Sequence, residues 1–295
     1  MTDIKEKIIQ SARKTEEYLA DFCYGKDAEL QCLFDSESYS LLGGGKRIRP
    51  FIVKEVCEAL GGEREKAEYY GAALEMVHTY SLIHDDLPCM DDDDMRRGKP
   101  TNHKVFGYST ALLAGDALLT KAFLAAASNP LCSDEENAEA VRLMAVAAGD
   151  RGMIGGQIID LEGEHRTLDF GQLIRLHRLK TGALIRCAAE LGALSAGYGR
   201  GSQEYEEAVA YADGVGLAFQ VIDDILDATS TEEELGKSVG SDAARGKTTF
   251  LSFFDVKGAS AYARELTEGA VRAIEGWRSP DTLTDLAYYL LDRKN

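Results

Sequence analysis

The residues with the strongest potential for chemistry are six aspartates within the fifteen residues 84–98. Two of them, Asp85 and Asp86, follow a stretch of apolar residues at helical spacing, which predicts a helix that Pro88 ends or kinks. Both carboxylates would then lie in the last helical turn, where the negative end of the helix dipole disfavours them. A cation is needed to compensate for this charge, and carboxylate oxygens favour Mg²⁺ over soft metals.

Two arginines, Arg96 and Arg97, directly follow the acidic run. Mg²⁺ usually takes one or two carboxylates and completes its octahedral shell with water and substrate phosphates. Guanidinium groups bind phosphate oxygens in pairs, so the acidic run and the arginines together predict a magnesium-bridged diphosphate site. A solvated acidic loop is the plain alternative. A calcium-binding EF-hand is disfavoured because its central glycine and terminal glutamate are missing.

A second acidic cluster lies in a predicted helix over residues 204–226 and just beyond it. Gln220, Asp223 or Asp224, and Asp227 are separated by three or four positions, which places them on one helix face. Valine, isoleucine and leucine surround them, so this face is predicted to line a pocket. Without a cation, three carboxylates there would repel one another or take up protons.

Cations are concentrated in two short segments. Three glycines at 43–45 precede Lys46, Arg47 and Arg49. Such a cluster of basic residues in an acidic protein indicates an anionic partner. An ordinary helix-entry loop with exposed cations is the alternative. A Lys-Thr pair at 180–181 interrupts an otherwise apolar helix, which would be unfavourable unless the pair faces a polar cavity.

Composition narrows the class of protein. The chain has 295 residues, 45% of them hydrophobic, and a net charge of −17, which argues against nucleic acid and against electrostatic docking to an anionic membrane. Six scattered cysteines, without paired spacing, predict reduced thiols and neither a zinc site nor a disulfide framework.

The termini and hydropathy predict a cytoplasmic protein without stable membrane insertion. Residues 1–7 contain no apolar signal core, and no run is expected to reach the eighteen or so apolar residues of a membrane span. An organelle protein with a trimmed transit peptide stays open as an alternative.

The apolar periodicity predicts helices throughout the chain. The predicted helices cover residues 4–21, 30–41, 51–60, 63–86, 108–128, 135–162, 168–196, 204–226, 250–277 and 281–293. Residues 98–107 are predicted to form a loop, and the helix over 108–128 is expected to be deeply buried because it is rich in alanine and leucine.

Several of these segments resemble motifs of the trans-polyprenyl diphosphate synthases. Residues 85–101, Asp-Asp-Leu-Pro-Cys-Met-Asp-Asp-Asp-Asp-Met-Arg-Arg-Gly-Lys-Pro-Thr, are similar to the first aspartate-rich motif, in the form with two extra residues that the bacterial farnesyl diphosphate synthases have. Gly-Gly-Gly-Lys-Arg-Ile-Arg-Pro at 43–50 is similar to the isopentenyl diphosphate motif. Phe-Gln-Val-Ile-Asp-Asp-Ile-Leu-Asp at 219–227 is similar to the second aspartate-rich motif. The resemblance extends over essentially the whole chain.

The resemblance implies a fold, a reaction and partners. The fold would be the all-α isoprenoid synthase fold, a helical bundle around a deep central cavity, formed by one domain over 1–295. The reaction would be the magnesium-assisted ionisation of dimethylallyl or geranyl diphosphate and its head-to-tail coupling to isopentenyl diphosphate. About three Mg²⁺ ions per site and a homodimer are also implied by the family.

The resemblance also implies the residues of the site. The metal ligands would be Asp85, Asp86, Asp91, Asp223, Asp224 and Asp227. Isopentenyl diphosphate would be bound by Lys46, Arg49, His78 and Arg97. The allylic diphosphate would be bound by Arg96, Lys180, Thr181, Gln220 and Lys237. The residues closest to the chemistry would be Asp85, Asp91, Arg96, Lys180 and Asp223. Gln157, Asp160 and Lys247 receive no role.

Product length is predicted from the turn before the first aspartate motif. Tyr80 lies five residues before Asp85 and Ser81 four residues before it. In the family, a large aromatic residue at the first of these positions is typical of enzymes that stop at fifteen carbons, so farnesyl diphosphate is the predicted product. A twenty-carbon product is the alternative, with Tyr80 packed in the core and another residue forming the cavity floor.

Two other functions are weaker candidates. A class I terpene cyclase has the same fold, but Asp227 and the basic segment at 43–50 argue against it. A non-catalytic regulatory subunit usually lacks the aspartate motifs, and this chain retains both.

Overall fold

The chain is predominantly helical in the computed structural model, which describes residues 3–23, 25, 27–229 and 247–293. The helices are α1 (Ile4–Cys23), α2 (Gln31–Leu41), α3 (Ile48–Ala59), α4 (Arg64–Asp85), α5 (Asn102–Phe106), α6 (Tyr108–Ala127), α7 (Asp134–Ala148), α8 (Met153–Gly163), α9 (Phe170–His177), α10 (Ala183–Ser195), α11 (Gln203–Thr229), α12 (Val256–Ala273) and α13 (Asp281–Leu291). Among the described residues, the strands are limited to β1 (Met95–Arg96) and β2 (Lys99–Pro100). The predicted all-α class is confirmed.

The helices form two compact units. The first contains residues 1–54 and 63–141, and the second contains residues 55–62 and 142–295.

Helix α4 is the central element of the first unit. Residues 70–77 are buried without interruption, and α4 packs most extensively against α6. The two helices can approach closely because position 115 is a glycine. A Cβ atom there would lie 2.1 Å from Nε2 of His84, and that nitrogen is 3.0 Å from the carbonyl oxygen of Leu112. This contact fixes the last turn of α4, directly before the acidic run.

Helix α6 is less buried than its composition predicts. Its inner face, with Ala114 and Leu118, is fully buried, whereas Leu113 and Leu124 on its outer face are 57% and 67% exposed. The expectation of deep burial was therefore wrong for half of the helix. By length and composition, α6 is also the one described helix that could cross a membrane, a test that core helices pass as well.

A small hairpin replaces part of the predicted loop at 98–107. Arg96 pairs with Lys99, and the two residues between them, Arg97 and Gly98, have φ angles of 53° and 75°. Positive φ at both central positions is the type I′ hairpin turn. The loop prediction was wrong because the strands are only two residues long and the turn lacks the usual Asn-Gly or Asp-Gly pair.

Three longer helices predicted in the second half of the chain are interrupted. The predicted helix over 135–162 breaks at residues 149–152, between α7 and α8, where Gly149 and Gly152 lie. The predicted helix over 168–196 contains a π-helical turn at Arg178–Gly182, between α9 and α10. The predicted helix over 250–277 begins instead as a 3₁₀ turn, and α12 starts only after Asp255, whose side chain caps it.

The π-helical turn lies directly against α8. A Cβ atom at Gly156 would be 2.1 Å from the backbone nitrogen of Lys180. Only a glycine therefore allows this approach without a shift of the backbone. Because π-helical turns are rare and are often found at functional sites, this turn is a candidate part of the site.

The second unit has a core in which α11 packs against α10 and α12. Phe250 is fully buried in this core, and its ring stacks on His177 with centroids 5.2 Å apart. Nδ1 of His177 is 3.1 Å from Oε1 of Gln220. Because that oxygen can only accept, Nδ1 carries the proton. Burial lowers the pKa of His177 to about 4, so the ring is neutral at pH 7.

The neutral state of His177 makes stability dependent on pH. The pKa of a histidine in an unfolded chain is about 6.5. As the pH falls from about 6.5 to about 4, the unfolded chain gains a proton that the folded chain lacks, and the free energy of unfolding should decrease by up to about 1.4 kcal/mol per pH unit. Urea denaturation at several pH values in this window measures that slope.

The matched variants are His177→Asn, whose amide keeps a donor for Gln220, and His165→Asn at an exposed position. His177→Asn should show a shallower pH dependence than the wild type, and His165→Asn should keep the wild-type slope. An unchanged slope in His177→Asn would contradict the assignment.

Candidate active site

The glycine segment at 43–45 holds an arginine side chain against its backbone. Gly44 and Gly45 have φ angles of 84° and 132°, which favour glycine. Nη1 of Arg97 donates a hydrogen bond to the carbonyl oxygen of Gly44, and a Cβ atom at Gly45 would lie 2.8 Å from the same nitrogen. The glycines therefore serve to bring Arg97 to the basic segment.

The three cations after the glycines have different environments. Arg47 is buried and donates to Oε1 of Glu75 at 2.9 Å and to the carbonyl oxygen of Leu41 at 2.6 Å. It is therefore a structural residue. Lys46 is exposed and Arg49 is partly buried, with a buried Nε that has no hydrogen-bond partner among the described residues. These two are the cations that the sequence predicted as ligands.

His78 lies among arginines on α4. Burial lowers its pKa well below the ordinary value, and the positive charges of Arg49, Arg97, Arg47 and Arg96 lower it further. The imidazole is therefore neutral at pH 7. The structure brings together three of the predicted isopentenyl diphosphate ligands, Arg49, His78 and Arg97, in a group of positive charge that favours an anion.

The first acidic run folds into tight turns after α4. The backbone nitrogen of Asp91 donates to the carbonyl oxygen of Asp85 at 2.9 Å, which brings the two residues together although they are six positions apart. Both side chains are partly buried. This turn brings the backbones of two of the predicted metal ligands together.

Asp86 has a different environment from Asp85. It is buried, and Arg96 donates to its Oδ1 from Nε at 2.8 Å and from Nη2 at 2.6 Å. A pocket of about 50 Å³, room for one or two water molecules, lies beside this ion pair. The predicted metal ligand Asp86 is thus the counterion of a predicted diphosphate ligand.

The two predicted chain-length residues differ in their contacts. Tyr80 is buried, its ring packs edge-to-face on His84, and its hydroxyl has no hydrogen-bond partner among the described residues. Burial raises its pKa to about 12. Ser81 donates to the carbonyl oxygen of His78 within its own helical turn, at 2.9 Å. No described hydrogen bond holds the Tyr80 hydroxyl in the core.

The aspartates of the second cluster are also unequal. Asp223 is 45% exposed, forms an ion pair with Arg293 and accepts a hydrogen bond from Gln220 at 3.2 Å. Asp224 is buried and accepts the backbone N–H of Phe250 at 2.7 Å. Asp227 is buried as well. Asp223 is therefore the aspartate that lies beside Gln220 on the predicted helix face. Asp224 instead binds the backbone of the segment that begins at residue 247.

The Lys-Thr pair lies in the π-helical turn. Nζ of Lys180 is 2.6 Å from Oδ2 of Asp160, and Nζ of Lys247 is 2.8 Å from the same oxygen. Thr181 is partly buried. The predicted ligand Lys237 lies outside the described residues.

The sequence alone assigns no role to four residues that contact predicted site residues or their partners in the structure. They are Asp160, His177, Lys247 and Arg293. His177 lies three residues before Lys180, a helical spacing that could have pointed to it, whereas Arg293 is distant from every motif in sequence and is brought to Asp223 just after the end of α13. Asp160 is singled out by the sequence, three residues after Gln157 on the predicted helix with four closely spaced glycines, but without a role.

The aspartate carboxylates of the two acidic clusters are ligands of the kind that Mg²⁺ prefers, and each unit offers only a few of them. Within the described residues, no group of three acidic, histidine or cysteine side chains is assembled to hold a metal. Asp85 and Asp91 in one unit and Asp223 and Asp227 in the other could each hold Mg²⁺. This agrees with the usual coordination of Mg²⁺ by one or two carboxylates, with substrate phosphates supplying the other oxygens.

Comparison with known proteins places this geometry in a family. Residues 31–276 match the polyprenyl synthetase family. Farnesyl diphosphate synthase of Haemophilus influenzae is 38% identical over the full length of both chains. Farnesyl diphosphate synthase of Bacillus subtilis is 45% identical, covering 86% of this chain and 85% of the relative. Geranylgeranyl pyrophosphate synthase 11 of Arabidopsis thaliana is also 45% identical, covering 87% and 73%.

A solved structure agrees with these relatives. The crystal structure of an FPP/GFPP synthase from Zymomonas mobilis superposes with a TM-score of 0.88 at 36% identity, covering 98% of each chain. The predicted isoprenoid synthase fold is confirmed. The chain is therefore a member of the polyprenyl synthetase family.

Proposed function

We propose that this protein is a farnesyl diphosphate synthase that couples isopentenyl diphosphate to dimethylallyl diphosphate and then to geranyl diphosphate. The observation that carries the proposal is that each unit holds a group of cations: Arg49 and Arg97 near His78 in one, and Lys180 with Lys247 on Asp160 in the other. Two such groups fit two diphosphate substrates. Several relatives are named farnesyl diphosphate synthases.

The first step is loss of diphosphate from the allylic substrate. Arg96, Lys180, Thr181, Gln220 and Lys237 are proposed to bind this diphosphate. Their charge and hydrogen bonds stabilise the negative charge that develops on the leaving group, an effect that is large in a site without water. Bound Mg²⁺, proposed as three ions held by Asp85, Asp91 and Asp223 with Asp86, Asp224 and Asp227 as further candidates, would neutralise the same charge.

The second substrate is held by the cations of the first unit. Lys46, Arg49, His78 and Arg97 are proposed to bind the diphosphate of isopentenyl diphosphate, so that its double bond meets the allylic cation. His78, neutral at pH 7, would contribute a hydrogen bond, and the arginines would contribute charge. The proton released after coupling is proposed to pass to the departing diphosphate.

The two roles should be separable by mutation. Asp223→Ala should lower turnover by about a hundredfold, the scale of one lost group that stabilises transition-state charge. Arg49→Ala should instead raise the Michaelis constant for isopentenyl diphosphate more than that for geranyl diphosphate. Steady-state kinetics with each substrate varied in turn distinguishes the two, and each variant is the control for the other. The same pattern of effects in both variants would contradict the assignment.

Tyr80 is proposed to set the product length. Relatives of similar identity are named for fifteen-carbon and for twenty-carbon products, so identity alone does not choose between them. Tyr80 is bulky and buried, one turn before Asp85, and no described hydrogen bond ties its hydroxyl to the core. These features support its role as the wall that a growing prenyl chain meets, and hence a farnesyl product.

Product analysis tests both the activity and Tyr80. Incubation of the wild type with labelled isopentenyl diphosphate and each allylic primer should yield mainly a fifteen-carbon product, resolved by chromatography. Tyr80→Ala should shift the main product to twenty carbons or more, and Tyr80→Phe should keep fifteen. A wild type that makes mainly twenty carbons would favour the geranylgeranyl alternative. An active Tyr80→Ala that still stops at fifteen would show that another residue is the floor.

The exposed face of α6 supports the proposed homodimer. Leu113 and Leu124 lie eleven positions apart, three helical turns, on the same outer face. Exposed apolar faces of this kind are typical of interaction surfaces, and homodimers are the commonest soluble assembly.

Sedimentation equilibrium measures this assembly. Leu113→Glu should weaken the dimer by at least about tenfold in dissociation constant, because a charge would be buried at the contact. Ile9→Glu changes a residue that is similarly exposed on α1 and should leave the assembly as in the wild type. A monomeric wild type would contradict the proposal.

Two broader expectations stay proposals. We infer that residues 1–295 work as one catalytic domain, because the family match at 31–276 includes most of both compact units. Limited proteolysis that yields an active fragment from either unit alone would refute this inference.

We also propose a cytoplasmic location. It is supported by six free cysteines, which are typical of reducing compartments, and cell fractionation tests it.

A further inference from the structure

Three separate segments of the second unit meet at Asp160. The aspartate lies on α8, Lys180 on the π-helical turn, and Lys247 on the segment before the 3₁₀ turn. The two ammonium nitrogens lie 2.6 Å and 2.8 Å from the same carboxylate oxygen, Oδ2. Glu164 is a weaker neighbour, 3.5 Å from Lys247. One oxygen atom therefore sets the positions of two cations that are 67 residues apart in sequence.

The burial of this group makes the carboxylate necessary. Asp160 is buried, and the side chains of Lys180 and Lys247 are only 28% and 15% exposed. Burial alone would raise the pKa of the Asp160 carboxyl, but the two ammonium groups keep it lowered, so it is ionised at pH 7. Two buried like charges without this counterion would repel each other and move apart.

The backbone around Asp160 is fitted to the same arrangement. Gly156, one helical turn earlier on the same face of α8, lets the backbone of Lys180 lie against the helix. Gln157 lies three residues before Asp160, and its buried Nε2 donor has no hydrogen-bond partner among the described residues. A buried donor without an acceptor indicates a missing ligand or water that supplies one. A bound anion could accept a hydrogen bond from this donor.

We propose that Asp160 is a positioning residue, which holds Lys180 and Lys247 as a paired clamp for the diphosphate of the allylic substrate, with Gln157 donating to the same anion. This inference rests on the proposed prenyltransferase function. Each ammonium has three N–H donors, and its bond to Asp160 uses one of them. The carboxylate itself repels a diphosphate, so without a bound metal ion it can favour substrate binding only through the lysines that it orders.

Because Asp160 and the diphosphate are both negative, a charge effect and a positioning effect of Asp160 predict opposite changes in pyrophosphate binding. If Asp160 acted only through its charge, Asp160→Asn would make the site more positive and inorganic pyrophosphate would bind more tightly. If Asp160 orders the clamp, the same variant should bind pyrophosphate about tenfold more weakly, the equivalent of about 1.4 kcal/mol. Isothermal titration calorimetry with pyrophosphate in the absence of Mg²⁺ measures this. Glu162→Gln, an exposed acid on the same helix, is the control and should bind as the wild type does.

Kinetics and double variants separate positioning from a general structural effect. Asp160→Asn should raise the Michaelis constant for geranyl diphosphate about tenfold and that for isopentenyl diphosphate less than about twofold, and Asp160→Glu should recover part of the loss. In a Lys180→Ala/Lys247→Ala background, Asp160→Asn should add less than about a twofold change, since residues that act as a unit are not additive.

The outcomes are distinguishable. Unchanged or tighter pyrophosphate binding by Asp160→Asn overturns the inference, as does an equal rise in both Michaelis constants. A full effect of Asp160→Asn in the background without lysines shows that Asp160 acts directly on the ligand or metal, which also overturns it. A wild type that fails to consume geranyl diphosphate refutes the proposed function itself, whatever the variants do.

Discussion

Three groups of cations in the described part of this chain lie against a buried carboxylate. Arg47 pairs with Glu75, Arg96 with Asp86, and both Lys180 and Lys247 with Asp160. Like charges that are brought close together in a folded protein repel one another or lose their charge, unless an opposite charge is held nearby. Because buried ion pairs are costly to break, these carboxylates also fix the geometry of the cations. An acidic chain with a net charge of −17 can therefore keep sites for anions.

The two adjacent aspartate pairs follow from the same constraint. Successive residues on a helix point about 100° apart, so only one of two neighbours can face a given direction. Asp85 is partly exposed while Asp86 is buried on Arg96, and Asp223 is exposed while Asp224 is buried on the N–H of Phe250. In each pair the second aspartate is the more deeply buried one and is held by a protein group, while the first is closer to the surface.

Close packing of side chains or helices against the main chain of glycines is the second recurring feature of the structure. Glycines occur where a side chain or a helix lies directly on the main chain: Gly45 under Arg97, Gly115 beside His84, and Gly156 against Lys180. In each case the partner residue is in, or next to, a predicted binding motif. The four closely spaced glycines around α8, which reduce its helix propensity, are partly explained by the last of these contacts.

The sequence alone determined the helical class and the motifs that mark the family. The determinants are local, since helical periodicity, the aspartate runs and the glycine-cation segment all depend on residues close together in the chain. The predicted helices over 4–21, 63–86 and 204–226 agree with α1, α4 and α11 to within a few residues. The predictions of uninterrupted helices over 135–162 and 168–196 were wrong at the glycines of 149–152 and at the π-helical turn. These breaks depend on packing against other segments.

Only the tertiary structure decided which member of each charged pair faces the site. Sequence spacing treats Asp85 and Asp86 alike, and Arg47 and Arg49 alike. Their environments differ because one member of each pair forms an ion pair with a residue elsewhere in the chain. Asp86 pairs with Arg96, and Arg47 pairs with Glu75. The same holds for Asp160, whose two lysines come from different segments and are joined by a single oxygen atom only in the folded chain.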